Sequence, residues 1–260
     1  MKSIMKCALF VLAASCATHA FAEDAQDGWT FGIGTGINSL WVKGDQGWNS
    51  LLTGGPVTLN LDLTPNDIQD AMKTAFGFGG FAARGQWKIL YSLKYMELEG
   101  DGNGTTPGGI PVYAKSNFKV SGATVAGVYQ FAKTGKGVWG ALGGVRYTKQ
   151  KLTNSLTVGG STAQNEISQH WTDVVVGLTN NYYFSMAWAW NTQVDAGFGG
   201  SNGTYHINTG PTWRFAQSWV AGAAVDYTDN NFENGSRGDP DWYLYKPTET
   251  AVGLSITYLF

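Results

Sequence analysis

The chain is poor in cysteine and in charge. It has two cysteines, Cys7 and Cys16, and both lie within its first 22 residues. Without that segment the chain offers no disulfide framework, thiolate metal site or cysteine nucleophile. Charged residues make up 14% of the chain, which is well below their share on an ordinary soluble surface. Basic and acidic residues nearly balance, at a net charge of −2, so there is no basic stripe to bind nucleic acid.

Beyond its first 22 residues, the chain also lacks an apolar run long enough for a transmembrane helix. Glycine is abundant, at 36 of 260 residues, and aromatic residues make up 14%. This combination is typical of a closed β-barrel in an outer membrane, where only alternate residues of each strand meet lipid. The composition therefore predicts an all-β protein, a transmembrane antiparallel up-and-down β-barrel.

The first 22 residues have the layout of a secretory signal peptide. Two lysines precede a short apolar stretch, and the small-residue cleavage site Ala20-Phe21-Ala22 follows it. A lipoprotein signal acylated at Cys16 is the alternative, and it is disfavoured because Ala13 stands where Leu is expected. We expect a signal peptide over 1–22 and one outer-membrane barrel domain over 23–260.

Several segments alternate large apolar residues with small or polar ones. Examples are WTFGIGTGINSLWV over 29–42, WKILYSLKY over 87–95 and AWAWNTQVDAGF over 187–198. In a soluble β-sandwich the apolar face of such strands would be the interior. The barrel is favoured because the other face is dominated by Gly, Ala and Ser, and because aromatic residues cluster near the strand ends.

The alternation predicts about ten strands. They lie near 29–42, 76–85, 87–98, 115–131, 138–151, 167–180, 186–198, 204–215, 219–229 and 249–260. Eight or twelve strands are also possible, since VTLNLDL over 57–63 could be a strand. An even number places both termini on the periplasmic side, with short turns there and longer outer loops, including 152–166.

One short helix is predicted over 64–75, in the first long loop. Thr64 is the N-cap, Pro65 suits the first helical position, and Asp67 completes a capping pattern. Four apolar residues recur at helical spacing on one face: Ile68, Ala71, Met72 and Ala75. This segment either covers the loop region or narrows a pore from the barrel mouth.

The segments HWTDVVVGL, QVDAGFGGSNGTYHINTGPTWRF and VAGAAVDYTDNNF, with the C-terminal YLF, resemble small outer-membrane β-barrel proteins of Gram-negative bacteria. Such proteins are grouped as OmpA-like or porin-family barrel proteins. The earlier segment DAMKTAFGFGGFAARGQWKILYSLKYMEL is also similar to the corresponding segment of that group. The resemblance implies export through the periplasm to the cell outer membrane, with lipid, lipopolysaccharide and the barrel assembly machinery as partners. It also implies that Tyr258 and Phe260 carry the assembly signal. It implies no activity.

Following the alternation inward predicts a polar lumen. Its predicted residues are Lys88, Lys94, Arg146, Asp173, Asp195, His206, Asn208, Arg214 and Asp226. They either form a buried ionic network that fills a narrow barrel or line a selective pore. Asp195 and Arg214 lie on neighbouring predicted strands, so we expect them to belong to one network.

We predict a structural or adhesive protein, or a narrow pore, with no catalytic residues, no cofactor and no metal site. The alternative is an outer-membrane hydrolase of lipid A or peptides, with a rim site at Ser168 and His170 and with Glu166 close by. It is disfavoured because the order does not match the His-x-Ser pattern of the deacylase family. The sequence does not indicate an oligomeric state.

Overall fold

The computed structural model of the protein describes residues 28–50, 54–105 and 109–260, so the predicted signal peptide lies outside the described residues. They form eleven strands and one helix. In chain order these are β1 (Thr30–Ser50), β2 (Gly55–Leu63), α1 (Pro65–Ala71), β3 (Met72–Arg84), β4 (Trp87–Thr105), β5 (Pro111–Thr134), β6 (Gly137–Val158), β7 (Ser161–Tyr183), β8 (Trp188–Phe198), β9 (Gly203–Ala216), β10 (Trp219–Asn234) and β11 (Tyr243–Leu259). In these ranges, no helix has the length and apolar character needed to span a membrane.

Ten of the strands close an antiparallel ring. From β3 to β11, each strand pairs with the next one along the chain. The seam joins β11 to β1, from the pair Gly32↔Leu259 to the pair Trp48↔Tyr243. On its other side β1 pairs with β3, from Thr30↔Ala83 to Gly34↔Gly79. The predicted up-and-down barrel of about ten strands is confirmed.

The eleventh strand, β2, is not a strand of the ring wall. It pairs only with the upper part of β1, from Val42↔Leu63 to Ser50↔Gly55. The possible strand at 57–63 therefore exists, and it forms a hairpin with β1.

Helix α1 connects β2 to β3 and begins as predicted. The Thr64 hydroxyl accepts from the Asp67 amide, and the Asp67 carboxylate accepts from the Thr64 amide at 2.8 Å. The predicted end at residue 75 is wrong, since the helix ends at Ala71. Met72 instead starts β3, where it pairs with Leu98 of β4. Met72 and Ala75 have helical spacing in the sequence, but they form a strand because they pair with β4.

The outer strand ends are longer than predicted. β5, β6 and β7 have 24, 22 and 23 residues. The predicted loop over 152–166 is wrong, because β6 and β7 continue through it and meet at a tight turn. Gly159 and Gly160 make that turn with φ of 57° and 87°, which glycine adopts without strain. The polar composition of 152–166 reflects strands that stand above the membrane and face water on their outer side.

An apolar belt surrounds the barrel. On β1 this belt runs from Phe31 to Trp41. Ten residues that rise about 3.3 Å each along a strand tilted by about 40° span about 25 Å along the barrel axis, which is the height of such a belt. Exposed aromatic residues mark its periplasmic boundary: Trp29, Trp87, Trp139, Trp188, Trp213 and Trp219. Others mark its outer boundary: Trp41, Phe76, Tyr147, Phe198, Tyr205 and Tyr227. Such a pair of girdles is the signature of a barrel that spans an outer membrane.

Candidate functional site

The periplasmic part of the lumen is filled by apolar side chains. They are Phe81, Ala83, Leu90, Ala126, Val128, Leu142, Val175, Val220 and Leu259, and we call them the inner layer. Lys88, a predicted lumen residue, is only 2% exposed and places its ammonium 5.3 Å from the centre of the Phe81 ring. The inner layer thus packs the interior of the barrel near its periplasmic end.

A hydrogen-bonded ionic network lies above the inner layer. Arg146 Nη2 donates to Asp195 Oδ1 at 2.6 Å. The His206 imidazole lies between two carboxylates, with Nδ1 2.7 Å from Asp195 Oδ2 and Nε2 2.8 Å from Asp226 Oδ2. Asn208 Nδ2 also donates to Asp226 Oδ2, at 2.9 Å. Five of the predicted lumen residues thus meet in one network.

Strand register explains much of this assembly. Asp195 of β8 pairs with His206 of β9, and Asp226 of β10 pairs with Asn208 of β9. Both ring nitrogens of His206 face carboxylate oxygens, which only accept, so the geometry suits an imidazolium that donates twice. Two cations then balance two carboxylates. A neutral, fully paired network is what a low-dielectric interior tolerates best.

Three other predicted lumen residues take no part in these hydrogen bonds. Asp173 is fully buried and accepts from the Ser201 amide at 2.7 Å and from the Ser201 hydroxyl at 2.9 Å, so it fixes the turn after β8. Arg214 donates to the carbonyl of Gln217 at 2.6 Å, in the short periplasmic turn. Within the described residues, no carboxylate lies within 4.0 Å of the Lys94 ammonium.

A second apolar group lies in the lumen above the network. Its residues are Trp48, Leu152, Trp171, Phe232, Tyr243 and Tyr245, and we call them the outer layer. The rings of Trp171 and Phe232 stack with their centres 4.1 Å apart. The Tyr243 hydroxyl donates to Gln150 at 2.7 Å and accepts from Gln46 at 2.9 Å.

The sequence analysis missed the outer layer because most of it lies in segments that were predicted as loops. The available signal was the alternation in WYLYKP, which places Tyr243 and Tyr245 on one face of a strand.

Among the described residues, two cavities inside the barrel adjoin the network and the outer layer. One, of about 150 Å³, is lined by the network, including Arg146 and His206. The other, of about 230 Å³, lies beneath β2 and α1 and is lined mainly by aliphatic side chains. Lys94 and Glu249 line both cavities.

Charged side chains cover the outer face of the wall above the belt. Glu97 accepts from Asn117 at 2.8 Å and from the Tyr95 hydroxyl at 3.1 Å. The pKa of Glu97 is lowered to about 2. The hydrogen bond from Asn117 is the largest cause, and the hydrogen bond from Tyr95 and the charges of the nearby lysines add to it. Lys73 lies 3.2 Å from Glu99, which raises the pKa of the Lys73 ammonium.

The residues of the alternative hydrolase site lie on the outward face of β7, above the belt. Glu166 forms an ion pair with Lys151 at 2.8 Å, and the His170 ring packs near Tyr147 at 6.3 Å. In the part of the chain that the structure describes, no hydrogen bond joins Ser168 to His170. Over the same residues there is no group of three or more His, Cys, Asp or Glu side chains that could hold a metal ion.

The C-terminus completes the seam of the barrel. The Phe260 amide donates to the Phe31 carbonyl at 2.9 Å, and the Phe260 ring is 70% exposed on the lipid side. The Tyr258 ring packs edge-on against Trp219 and against Phe260. The proposed assembly signal is thus displayed at the periplasmic rim, and its reading by assembly machinery stays a prediction.

No protein-family model matches the chain, and no curated protein matches it. Solved structures do match. The outer membrane protease OmpT from Escherichia coli is 9% identical, with a TM-score of 0.50 over 90% of this chain and 97% of that one. The translocator domain of the autotransporter NalP from Neisseria meningitidis is 11% identical, with a TM-score of 0.49 over 90% of each chain. Ail, the attachment invasion locus protein of Yersinia pestis, is 12% identical, with a TM-score of 0.37 over 89% of this chain and 99% of that one.

At identities this low the likeness shows the fold alone. The fold agrees with the features of the chain itself, a closed ring of strands and an apolar belt between two aromatic girdles. The chain therefore has the fold of a small transmembrane β-barrel, like those of the Gram-negative outer membrane.

Proposed function

We propose that the protein is a closed, non-conducting barrel with a structural or adhesive role. The observation that carries this proposal is the filling of the lumen by two apolar layers with a paired ionic network between them. A conducting pore needs a continuous wet path with favourable but weak sites. Here Phe81 below and Trp171 above the network are each at most 5% exposed.

The tall wall supports an adhesive role. β5, β6 and β7 continue well beyond the outer girdle, whereas β8 has only 11 residues. On the outward face of this extension, lysine and glutamate pair across strands, as in Lys115–Glu99 at 2.9 Å and Lys151–Glu166 at 2.8 Å. A rigid, charged sheet above the membrane offers a surface for contact with other macromolecules.

A liposome-swelling assay tests the closed barrel. Proteoliposomes that contain the refolded protein should show no swelling in small neutral sugars, at protein densities where a general porin swells them readily. Swelling above the level of empty liposomes would contradict the proposal.

The adhesive role has its own test. Shortening the β6–β7 hairpin by removing 155–164 leaves the membrane belt intact, so the variant should still reach the outer membrane. Cells that express it should adhere to host-cell layers less than cells with the full chain. Equal adherence would leave the structural role as the function of the barrel and contradict the adhesive one.

A further inference from the structure

The barrel wall has an interruption between β1 and β3. Their backbone pairing stops at Gly34 and Gly79, although both strands continue upward from there. The Thr35 hydroxyl still donates to the Gly77 carbonyl, at 2.8 Å. Above this bond, the segments 36–41 and 72–76 are not paired with each other. This wedge occupies the outer half of the apolar belt, since Trp41 marks the outer boundary.

The wedge has a cause in the chain path. At Val42, β1 takes β2 as its partner, and α1 must return the chain from β2 to β3. Ile68 of α1 is 1% exposed and packs against Leu40 and Val42 on the lumen side. The helix thus lies within the barrel mouth. Unpaired backbone at membrane depth is tolerated where it is buried in protein or lines a cavity.

The cavity of about 230 Å³ lies directly behind the wedge. Leu40 comes from one separated segment and Ala75 from the other, and both line it. Most of the remaining lining is aliphatic or aromatic: Val42, Trp48, Leu61, Leu63, Ile68, Met96, Leu98, Phe118, Val120 and Leu152. A cavity lined in this way stays dry and binds apolar molecules. Its volume of about 230 Å³ corresponds to about seven groups of the size of a water molecule, at about 30 Å³ each, so it accommodates part of an acyl chain.

The polar groups of this cavity point to an amphiphilic ligand. Lys94 and Glu249 line both cavities and so mark the side on which they adjoin. The Glu249 carboxylate already accepts from Tyr245 at 2.8 Å and from Asn230 at 3.1 Å. Among the described residues the Lys94 ammonium has no carboxylate within 4.0 Å, and its charge acts on Asp226 only at longer range, so it can take an anionic head group as an ion-pair partner.

We propose that this cavity binds one unbranched acyl chain with an anionic head group, and that the chain enters sideways through the wedge between β1 and β3. This goes beyond the closed barrel, since a lumen that does not conduct can still hold an apolar ligand in a cavity. Two sources share this chemistry: a free fatty acid, whose head is a carboxylate, and an acyl chain of a membrane lipid, whose head is a phosphate.

Photolabelling locates the ligand. The refolded protein is incubated with palmitic acid that carries a diazirine on its chain, and in a parallel arm with a phosphatidylglycerol that carries the same chain. After illumination, labelled peptides are identified by mass spectrometry. We expect labelling of 61–68 and 96–98 that saturates and that unlabelled lipid of the same kind competes away. The arm that gives this labelling identifies the source.

Two variants on opposite faces of β3 distinguish ligand binding in the cavity from lipid contact at the apolar belt. Ala75→Trp fills the cavity from its half-buried wall, whereas Thr74→Trp adds a similar volume at the exposed neighbouring position. Cavity labelling should fall at least ten-fold in Ala75→Trp and stay unchanged in Thr74→Trp. Both variants must show the gel shift between unheated and boiled samples that marks a folded barrel.

A second pair on β2 covers the case in which Ala75→Trp does not fold. Leu61→Arg places a charge in the cavity wall, and Asn60→Arg places the same charge on the exposed face of the same strand. β2 is outside the ring, so closure of the barrel does not depend on it. Labelling confined to the apolar belt in both arms, or equal losses in the two members of a pair, would overturn the proposal.

Discussion

The guanidinium of Arg146 on β6 lies 2.6 Å from the carboxylate of Asp195 on β8, although β7 separates the two strands in the wall. The contact therefore reaches over the inner face of β7. The Asp195 side chain is fully buried, and His206 contacts its second oxygen. These two residues tie β6 to β8 over the inner face of β7.

Removing that carboxylate should destabilise the barrel strongly. Asp195→Ala leaves the partly buried Arg146 and His206 without the carboxylate they share, and breaking a buried pair costs about 3–5 kcal/mol, less where water reaches Arg146. The control is Asp62→Ala, which removes the partner of Lys43 from a pair that is 68% exposed on both sides and should cost at most about 1 kcal/mol. Urea unfolding of both variants in lipid vesicles measures the difference. Similar midpoints for the two would show that the network does not stabilise the barrel.

The wall above the membrane should be sensitive to acid. The folded-state pKa of Glu97 is lowered from 4.5 to about 2, so its stabilisation is complete above pH 4.5 and is lost as the pH falls toward 2. Glu97→Gln lacks this titration. The urea midpoint of the native chain should therefore exceed that of the variant at pH 6, and the difference should shrink between pH 4.5 and 2.5. A constant difference over that range would mean that Glu97 does not carry the effect.

One glycine gives the inner layer its space. A Cβ at Gly32 would overlap the Phe81 ring, whereas a Cβ at Gly143, on β6, would meet nothing within 4 Å. Gly32→Ala should displace Phe81 and cost about 1–3 kcal/mol, as other overpacking changes do. Gly143→Ala should be neutral or slightly stabilising, because it restricts the unfolded chain. Thermal unfolding of the two variants side by side provides the measurement, and equal losses would contradict the packing described here.

Deletion of Phe260 should separate folding from assembly. The exposed aromatic contributes at most a few kcal/mol, and β11 keeps its pairing with β1 up to Leu259. The truncated protein should therefore refold in detergent. In cells it should accumulate in the periplasm or be degraded, because the terminal aromatic is the group that the assembly machinery is expected to read. Normal outer-membrane levels of the truncated protein would show that Phe260 only contacts lipid and carries no assembly signal.

The alternation of residues predicted the ring and the inward face of its strands, because side-chain direction follows a period of two. It did not predict that Arg146 rather than Arg214 would contact Asp195. Contacts between strands that are not direct neighbours depend on the tilt and stagger of the strands together, and strand order alone does not determine them. Arg214 also lies one turn from the periplasmic rim, where a carbonyl of the turn is the nearer acceptor.

The apolar layers were hidden for a different reason. Phe81 and Trp171 belong to correctly predicted strands, and both point inward on a face where polar residues were expected. In a barrel, large apolar residues occur both on the lipid side and in a filled lumen, so hydrophobicity does not distinguish the two sides. The number of strands also did not predict the pairing of β2, because β2 pairs with the outer half of β1 without joining the wall.

Single-channel recording in a planar bilayer tests the closed lumen most directly. The native protein should give no stable current steps, because the inner layer, the paired network and the outer layer leave no continuous wet path. The double variant Trp171→Ala with Phe81→Ala, which removes a ring from each layer, should give measurable steps if it still folds. Stable steps from the native protein, with an ion selectivity that Asp195→Ala changes, would contradict the closed barrel and show that the network lines a pore.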